Sequence, residues 1–444
     1  MLKKLSLKLC IFYLVFCIMP ISNSAYAELK VDIIAGNAEP IPIAIQKFEA
    51  PKNLDKIAKE LRDVVENNLS SSGLFRIIRQ AAHPEFVKMD DMPKFGDWSA
   101  VRAQVLVQAK LSATGDNYRL QFYVWDVNGK EQIEAQVLVA SKKSSRRLAH
   151  IMSDAIYERL TGEIGYFDTQ IIFIAESGPI TNRIKRLAIM DSDGHGFRYI
   201  SDGQTFVMSP HFSPNMQTVL FLSYRGDDPT IWSLDMNTGE QRRLGRFGGM
   251  TFAPRWSPDG NKVALSMVDG GATNIYEYDM GARTLRQLTF GDTINTSPSY
   301  FPDGTKMAFN SNRSGSQQLH VIDLGTLAVS RLSYGAGRYA TPAYSQDGNY
   351  IAFTKMSEDT FYIGIMNPRG KNEKILASGW FMEAPSWAPG SRRLVYYETE
   401  RIPGDEAGRA SRIRTVDITG QNDYEIKLPA GVWGTEPTWS PKLP

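Results

Sequence analysis

The strongest constraint on this chain is a recurring phrase. Pro210, Pro254, Pro298, Pro342, Pro385 and Pro437 stand 44, 44, 44, 43 and 52 residues apart. Each opens a similar run, among them Pro-Arg-Trp-Ser-Pro-Asp-Gly, Pro-Ser-Tyr-Phe-Pro-Asp-Gly and Pro-Ser-Trp-Ala-Pro-Gly-Ser. In the second unit Trp256 falls in a first strand, Ser257-Pro258-Asp259-Gly260 makes a turn, and 262–266, 275–279 and 285–288 read as three further strands. Proline presets φ at the turn and Asp-Gly tolerates the positive φ of a tight reversal. A period in the low forties with four short strands per unit describes a β-propeller blade. The repeated residues are therefore scaffold, and His211, which follows one repeat proline, is counted with them.

The ends of the array say how it closes. Segments 171–175, 184–191 and 197–201 read as the second, third and fourth strands of a unit without an opening phrase, whereas 436–441 is an opening phrase with nothing after it. If the last phrase supplies the inner strand of the first unit, six blades close into a ring with no exposed sheet edge. The long last interval comes from residues 398–409, a polar loop between the second and third strands of the sixth blade. It emerges on the face where the chain enters each inner strand, so that face is expected to bind a partner.

Before the array the period is different. Leu54, Ile57, Ala58, Leu61, Val64, Val65 and Leu69 recur at helical spacing, as do Leu148, Ile151, Met152, Ala155, Ile156 and Leu160. Between them, 103–111, 118–127 and 133–140 read as strands joined by Gly115-Asp116-Asn117 and Asn128-Gly129-Lys130. The expected fold class is a small α/β N-terminal domain (28–164), its helices on one face of a mixed sheet, followed by a six-bladed β-propeller (165–444) closed by the C-terminal strand.

Residues 1–27 form a third part. Lys3, Lys4 and Lys8 precede an apolar run, and Ser24-Ala25-Tyr26-Ala27 places small residues before Glu28. This is the pattern of a cleaved secretory signal, with cleavage between Ala27 and Glu28. Its removal takes three lysines and no acid, shifting the formal charge from +2 to −1, and carries off Cys10 and Cys17, the only two cysteines. Disulfide, thiol and cysteine-metal chemistry are thereby excluded. No later run is long and apolar enough for membrane insertion.

Enzyme chemistry finds little footing. There is no G-x-S-x-G elbow, and His83, His150, His195, His211 and His320 show no H-E-x-x-H spacing. Asp191-Ser192-Asp193-Gly194-His195-Gly196 lacks the downstream glutamate of an EF-hand and reads as a tight turn. Lys142-Lys143-Ser144-Ser145-Arg146-Arg147 straddles a helix start and reads as a solvated face, so no nucleic acid is expected. No metal or other cofactor is implied.

A secretory signal, a start at Glu28-Leu29-Lys30-Val31-Asp32-Ile33, a small α/β domain and six Pro-x-Trp-Ser-Pro-Asp-Gly units together resemble the TolB family, periplasmic components of the bacterial Tol-Pal envelope system. The resemblance implies a monomeric periplasmic binding protein rather than an enzyme, serving outer-membrane integrity and envelope constriction during division. It implies the lipoprotein Pal at the propeller mouth, at the positions just before the repeated prolines, among them Met250, Thr251, Ala253, Thr296, Ser297 and Glu383. It implies TolA on the N-terminal segment Glu28, Leu29, Lys30, Val31, Asp32 and Ile33, running on to about Asn37, and outer-membrane proteins as further partners. Some family members carry histidine at the position of Met250 and an acid at that of Ser297. Phe252, Tyr339, Trp380, Phe381 and Trp433 lie at or near the same openings. The alternative is a periplasmic propeller for a small ligand or peptide.

Overall fold

A computed structural model describes residues 39–444 apart from 85, 180–181, 226–228 and 402–408. The cleavage site at Ala27 and Glu28, the segment Glu28 to Asn37 and the middle of the long sixth-blade loop lie outside the described residues. In the N-terminal part, β1 (Ile41–Ile45), β2 (Phe75–Ile77), β3 (Val105–Thr114), β4 (Asn117–Asp126) and β5 (Glu131–Ser141) form one mixed sheet in the order β2-β1-β3-β4-β5. β1 pairs in parallel with β2 and β3, and the rest is antiparallel. α1 (Asp55–Ser71) and α3 (Ser145–Thr161) lie on one face, burying Ala58, Leu61, Val65 and Leu69 from one and Leu148, Met152, Ile156 and Leu160 from the other. Gly162, at φ 72°, ends α3 in the left-handed conformation that only glycine adopts cheaply, and its N–H bonds the Glu158 carbonyl.

Two features correct the sequence expectation. β1 and β2 are too short to show a clear alternation, and they add parallel strands to the three expected. The helices are not confined to one face, because the six-residue α2 (Phe95–Ala100) covers part of the other with Trp98, which packs with Ala44, Leu106 and Trp125.

Six four-stranded antiparallel sheets follow. The closing strand Trp433–Trp439 pairs with Gln170–Ser177, with Trp433 opposite Glu176 and Trp439 opposite Ile171. The first blade is thus made from both ends of the propeller sequence. No helix among the described residues is long and apolar enough to cross a membrane.

The α/β domain sits on the face where first-to-second and third-to-fourth strand turns emerge, opposite the openings of the inner strands. One apolar core runs through the junction from Tyr157 to Phe167 and Trp439. Arg393, fully buried, donates to the Ser71 carbonyl (3.3 Å), the Asn422 carbonyl (2.8 Å) and Thr415 Oγ1 (3.2 Å). Arg392 lies 3.1 Å from Glu163 and 2.8 Å from Asp417. Arg146 pairs with Asp193, and Arg147 with Asp168 at 3.0 Å, so half of the basic cluster expected to be solvated is engaged across the junction. Gly390 stands where other repeats have Asp259 or Asp303. A Cβ there would lie 2.4 Å from the Ile164 carbonyl oxygen, so the close approach of the two domains requires glycine.

Asp154 anchors the linker between the domains by accepting the N–H groups of Phe167 (2.7 Å) and Asp168 (3.3 Å), with Lys442 at 3.6 Å. Burial outweighs these partners and pushes its carboxyl up to about 6. A carboxyl raised on folding contributes stability that is full below its unfolded pKa and is lost as pH rises through about 6. Asp154→Asn, which cannot ionise, should therefore gain on the native protein by up to about 3 kcal/mol as pH moves from 4 to 7. Denaturant melts of both proteins across that range measure it, and a pH-independent difference refutes it.

Candidate functional site: the propeller mouth

The repeated proline builds the site. In every blade the residue before it has positive φ: Ser209 (51°), Ala253 (50°), Ser297 (56°), Thr341 (45°), Ala384 (56°) and Glu436 (50°). At the same point the ladder to the second strand shifts register in all six blades. Proline has no N–H to give, so it suits the free edge of an inner strand. The bulge beside it re-aims one side chain. All six pre-proline residues line a single cavity of about 510 Å³ at the mouth.

A second cavity of about 490 Å³ lies towards the opposite end of the channel, lined by the phrase aromatics Phe212, Trp256, Tyr300, Tyr344, Trp387 and Trp439. His211 and Arg255, each one residue after a repeat proline, line both cavities and form a waist between them. His211 thus faces the channel from its place in the repeated phrase. Burial, then the nearby Arg255, holds its imidazole well below the usual histidine range, and so neutral. Burial also brings the Arg255 guanidinium down to about 10, against the pull of Glu436. The Thr438 hydroxyl, 3.5 Å from His211 Nδ1, donates to the Pro210 carbonyl at 2.6 Å.

The mouth carries two carboxylates. Glu436 accepts the Ser209 N–H (2.6 Å) and hydroxyl (3.1 Å), and Glu383 accepts the Tyr397 hydroxyl (3.0 Å). Burial raises both above the ordinary glutamate range, and the charge of Glu436 adds to the effect at Glu383. Neither has a salt-bridge partner among the described residues. Around them the openings expose apolar side chains: Phe206, Tyr224, Met250, Phe290, Ile294 and Tyr334 are 41–72% exposed. Clustered apolar exposure of this kind marks interaction surfaces.

Of the residues expected at the mouth, Met250, Ala253, Ser297 and Glu383 line the cavity. Thr251 and Thr296 do not: Thr251 is 1% exposed, and Thr296 Oγ1 accepts from Asn310 Nδ2 at 2.5 Å. Of the aromatics, Phe252 reaches the cavity. Tyr339 is fully buried and bonds Glu373, Phe381 packs on Phe361 and Tyr397, and Trp433 lies under Arg183. Ser209, Thr341, Ala384 and Glu436 were not singled out, although they stand at the expected position just before a repeat proline. Sequence reasoning also missed the exposed apolar residues of the openings.

Comparison with known proteins agrees with this architecture. Residues 157–443 match the TolB beta propeller domain and residues 29–133 the TolB amino-terminal domain. The chain is 51% identical to the Tol-Pal system protein TolB of Pelagibacter ubique, over 97% of this chain and 98% of that one. It is 53% identical to that of Paramagnetospirillum magneticum, over 95% and 94%. The crystal structure of TolB from Acinetobacter baumannii superposes with a TM-score of 0.79 at 24% identity, covering 91% of this chain and 97% of that one, and so shares the fold. With both domains matched and half of its residues identical to full-length relatives, the chain belongs to the TolB family of Tol-Pal system proteins.

Proposed function

We propose that this chain is a periplasmic, non-catalytic adaptor of the Tol-Pal system that receives Pal at the propeller mouth and engages TolA through the segment Glu28 to Asn37. The observation that carries the first half is the mouth itself: six bulged residues around one cavity, two carboxylates that form no salt bridge among the described residues, and a rim of exposed apolar side chains. A rigid, preformed rim binds without the ordering cost of a mobile surface. Carboxylates so placed accept donors from an occupant. A non-catalytic reading fits the waist, where the hydroxyl nearest to His211 has already committed its proton to a carbonyl. The mouth lies opposite the α/β domain, which leaves two partners room to bind at once.

Calorimetric titration of the chain beginning at Glu28 tests both halves. The soluble domain of Pal should bind one-to-one, and Ala253→Arg, which fills the mouth without touching a core, should weaken it by about 30-fold, as expected at an interface hot spot. Deleting residues 28–37 should abolish TolA binding, and unchanged TolA affinity sinks that assignment. A second reading, a small ligand or peptide, is favoured by the size of the two cavities, which fall within the usual range for ligand pockets. Recovery of only such a ligand from envelope fractions would select it.

A further inference from the structure

The turn Asp191-Ser192-Asp193-Gly194-His195-Gly196, taken from sequence as a simple reversal, meets the α/β domain at His150 of α3. His150 is 3% exposed, and its Nε2 has no hydrogen-bond partner among the described residues. That nitrogen points at Asp193 Oδ2, 4.0 Å away. The other ring nitrogen, Nδ1, lies 3.0 Å from the side-chain amide of Asn68, which in turn contacts Ser153. One ligand atom each from His150, Asp191 and Asp193 lie within 4.8 Å of one another. His195 lies on the same exposed turn.

We propose that His150, Asp191 and Asp193 form a zinc site across the junction of the two domains, with water or His195 as the fourth ligand. Four ligands around zinc stand about 3.3 Å apart, given bonds of about 2.0 Å. The two aspartates reach this spacing by side-chain rotation on a surface turn, while His150 stays fixed by its burial. An imidazole beside two carboxylates suits zinc, whereas calcium takes oxygen ligands. Asn68 is the group that orients the imidazole from behind, its amide turned so that its oxygen accepts from Nδ1–H when Nε2 holds the metal.

Arg146 now occupies the position of the cation. It pairs with Asp193 and lies 4.0 Å from Asp191. Its side chain is 31% exposed, so it can leave towards solvent when zinc enters. The domains would then be joined through a metal in place of a guanidinium, and the junction would stiffen with zinc.

Zinc chloride titrated into the untagged, chelator-treated mature protein tests this, followed by calorimetry and by melting temperature. One equivalent should bind and raise the melting temperature. Asp193→Asn and His150→Gln should each weaken binding by about tenfold or more, and Arg146→Gln should tighten it. Asp193 is on an exposed turn, so its variant keeps the test valid should His150→Gln fail to fold. Absence of saturable zinc binding, or binding undiminished in Asp193→Asn, overturns the proposal, as does calcium binding as tightly as zinc.

Discussion

Removing residues 436–444 will open the ring and destabilise both domains together. These residues supply more than half of the inner strand of the first blade. Trp439 is 5% exposed, donates from Nε1 to Thr169 Oγ1 at 2.8 Å and packs edge-on against Tyr166. Ser440 exchanges bonds with Gln170 in both directions at 2.9 Å. Beyond the strand, Lys442 pairs with Asp154 and Glu158, and the Leu443 carbonyl accepts from Arg147, so the tail also holds the α/β domain. Trp439→Ala alone should cost about 3–5 kcal/mol, the usual price of emptying a tryptophan site. At about 2–4 °C per kcal/mol for a domain of this size, that is a fall of about 10 °C in melting temperature. The truncation should cost more, because it also unpairs Ile171 and Ile172 and exposes that part of the strand edge. A truncated protein melting like the full chain rules out this closure.

Arg392→Ala should be the most damaging single change at the domain junction. Asp417 is 1% exposed, and Arg392 Nε lies 2.8 Å from its Oδ2. The approach is poorly aligned for a directed hydrogen bond, so the contact works as a charge pair, and attraction between charges depends little on angle. Stripping one partner from a buried pair leaves an uncompensated charge, typically at 3–5 kcal/mol. The same change frees Glu163 and loosens the hold on the end of α3. Replacing both members with apolar residues, Arg392→Met with Asp417→Leu, should recover a large part of the loss, since the desolvation of both charges goes too. Chemical denaturation of the two singles and the double gives the coupling. Additive losses would show that the two side chains do not act as a pair.

The propeller was legible because its scaffold needs the same residues at the same places six times over. Each bulge needs its proline and each turn its Asp-Gly or an equivalent, so the period survives any change in the strands. Closure could be read from an opening phrase left over at Pro437. The mouth was only half legible. Ala253 and Ser297 were expected there and line it, but Thr251, two residues before Ala253, is buried, and Thr296, one residue before Ser297, is held by Asn310 in the neighbouring strand. The positive φ that re-aims Ser209, Thr341, Ala384 and Glu436 depends on backbone geometry that no pattern of polar and apolar residues displays. The junction was not legible at all. Arg393 meets the Ser71 carbonyl across 322 residues of sequence, and the glycine at position 390 gains its meaning only from the Ile164 carbonyl opposite it. Short strands such as β1 and β2 were missed for another reason: β1 is almost wholly buried and β2 has only three residues, so neither carries a period to detect.

Partners are proposed to reach this protein through the six bulged openings, with the α/β domain on the far face. Backbone hydrogen exchange of the mature protein, measured with and without the soluble domain of Pal, tests it most directly. Exchange should slow only at the openings, around Ser209, Ala253, Ser297, Thr341, Ala384 and Glu436 and the loops that precede them. Slowing at the opposite turns, around Gly260, Gly304 and Gly390, with the openings unchanged, would contradict it.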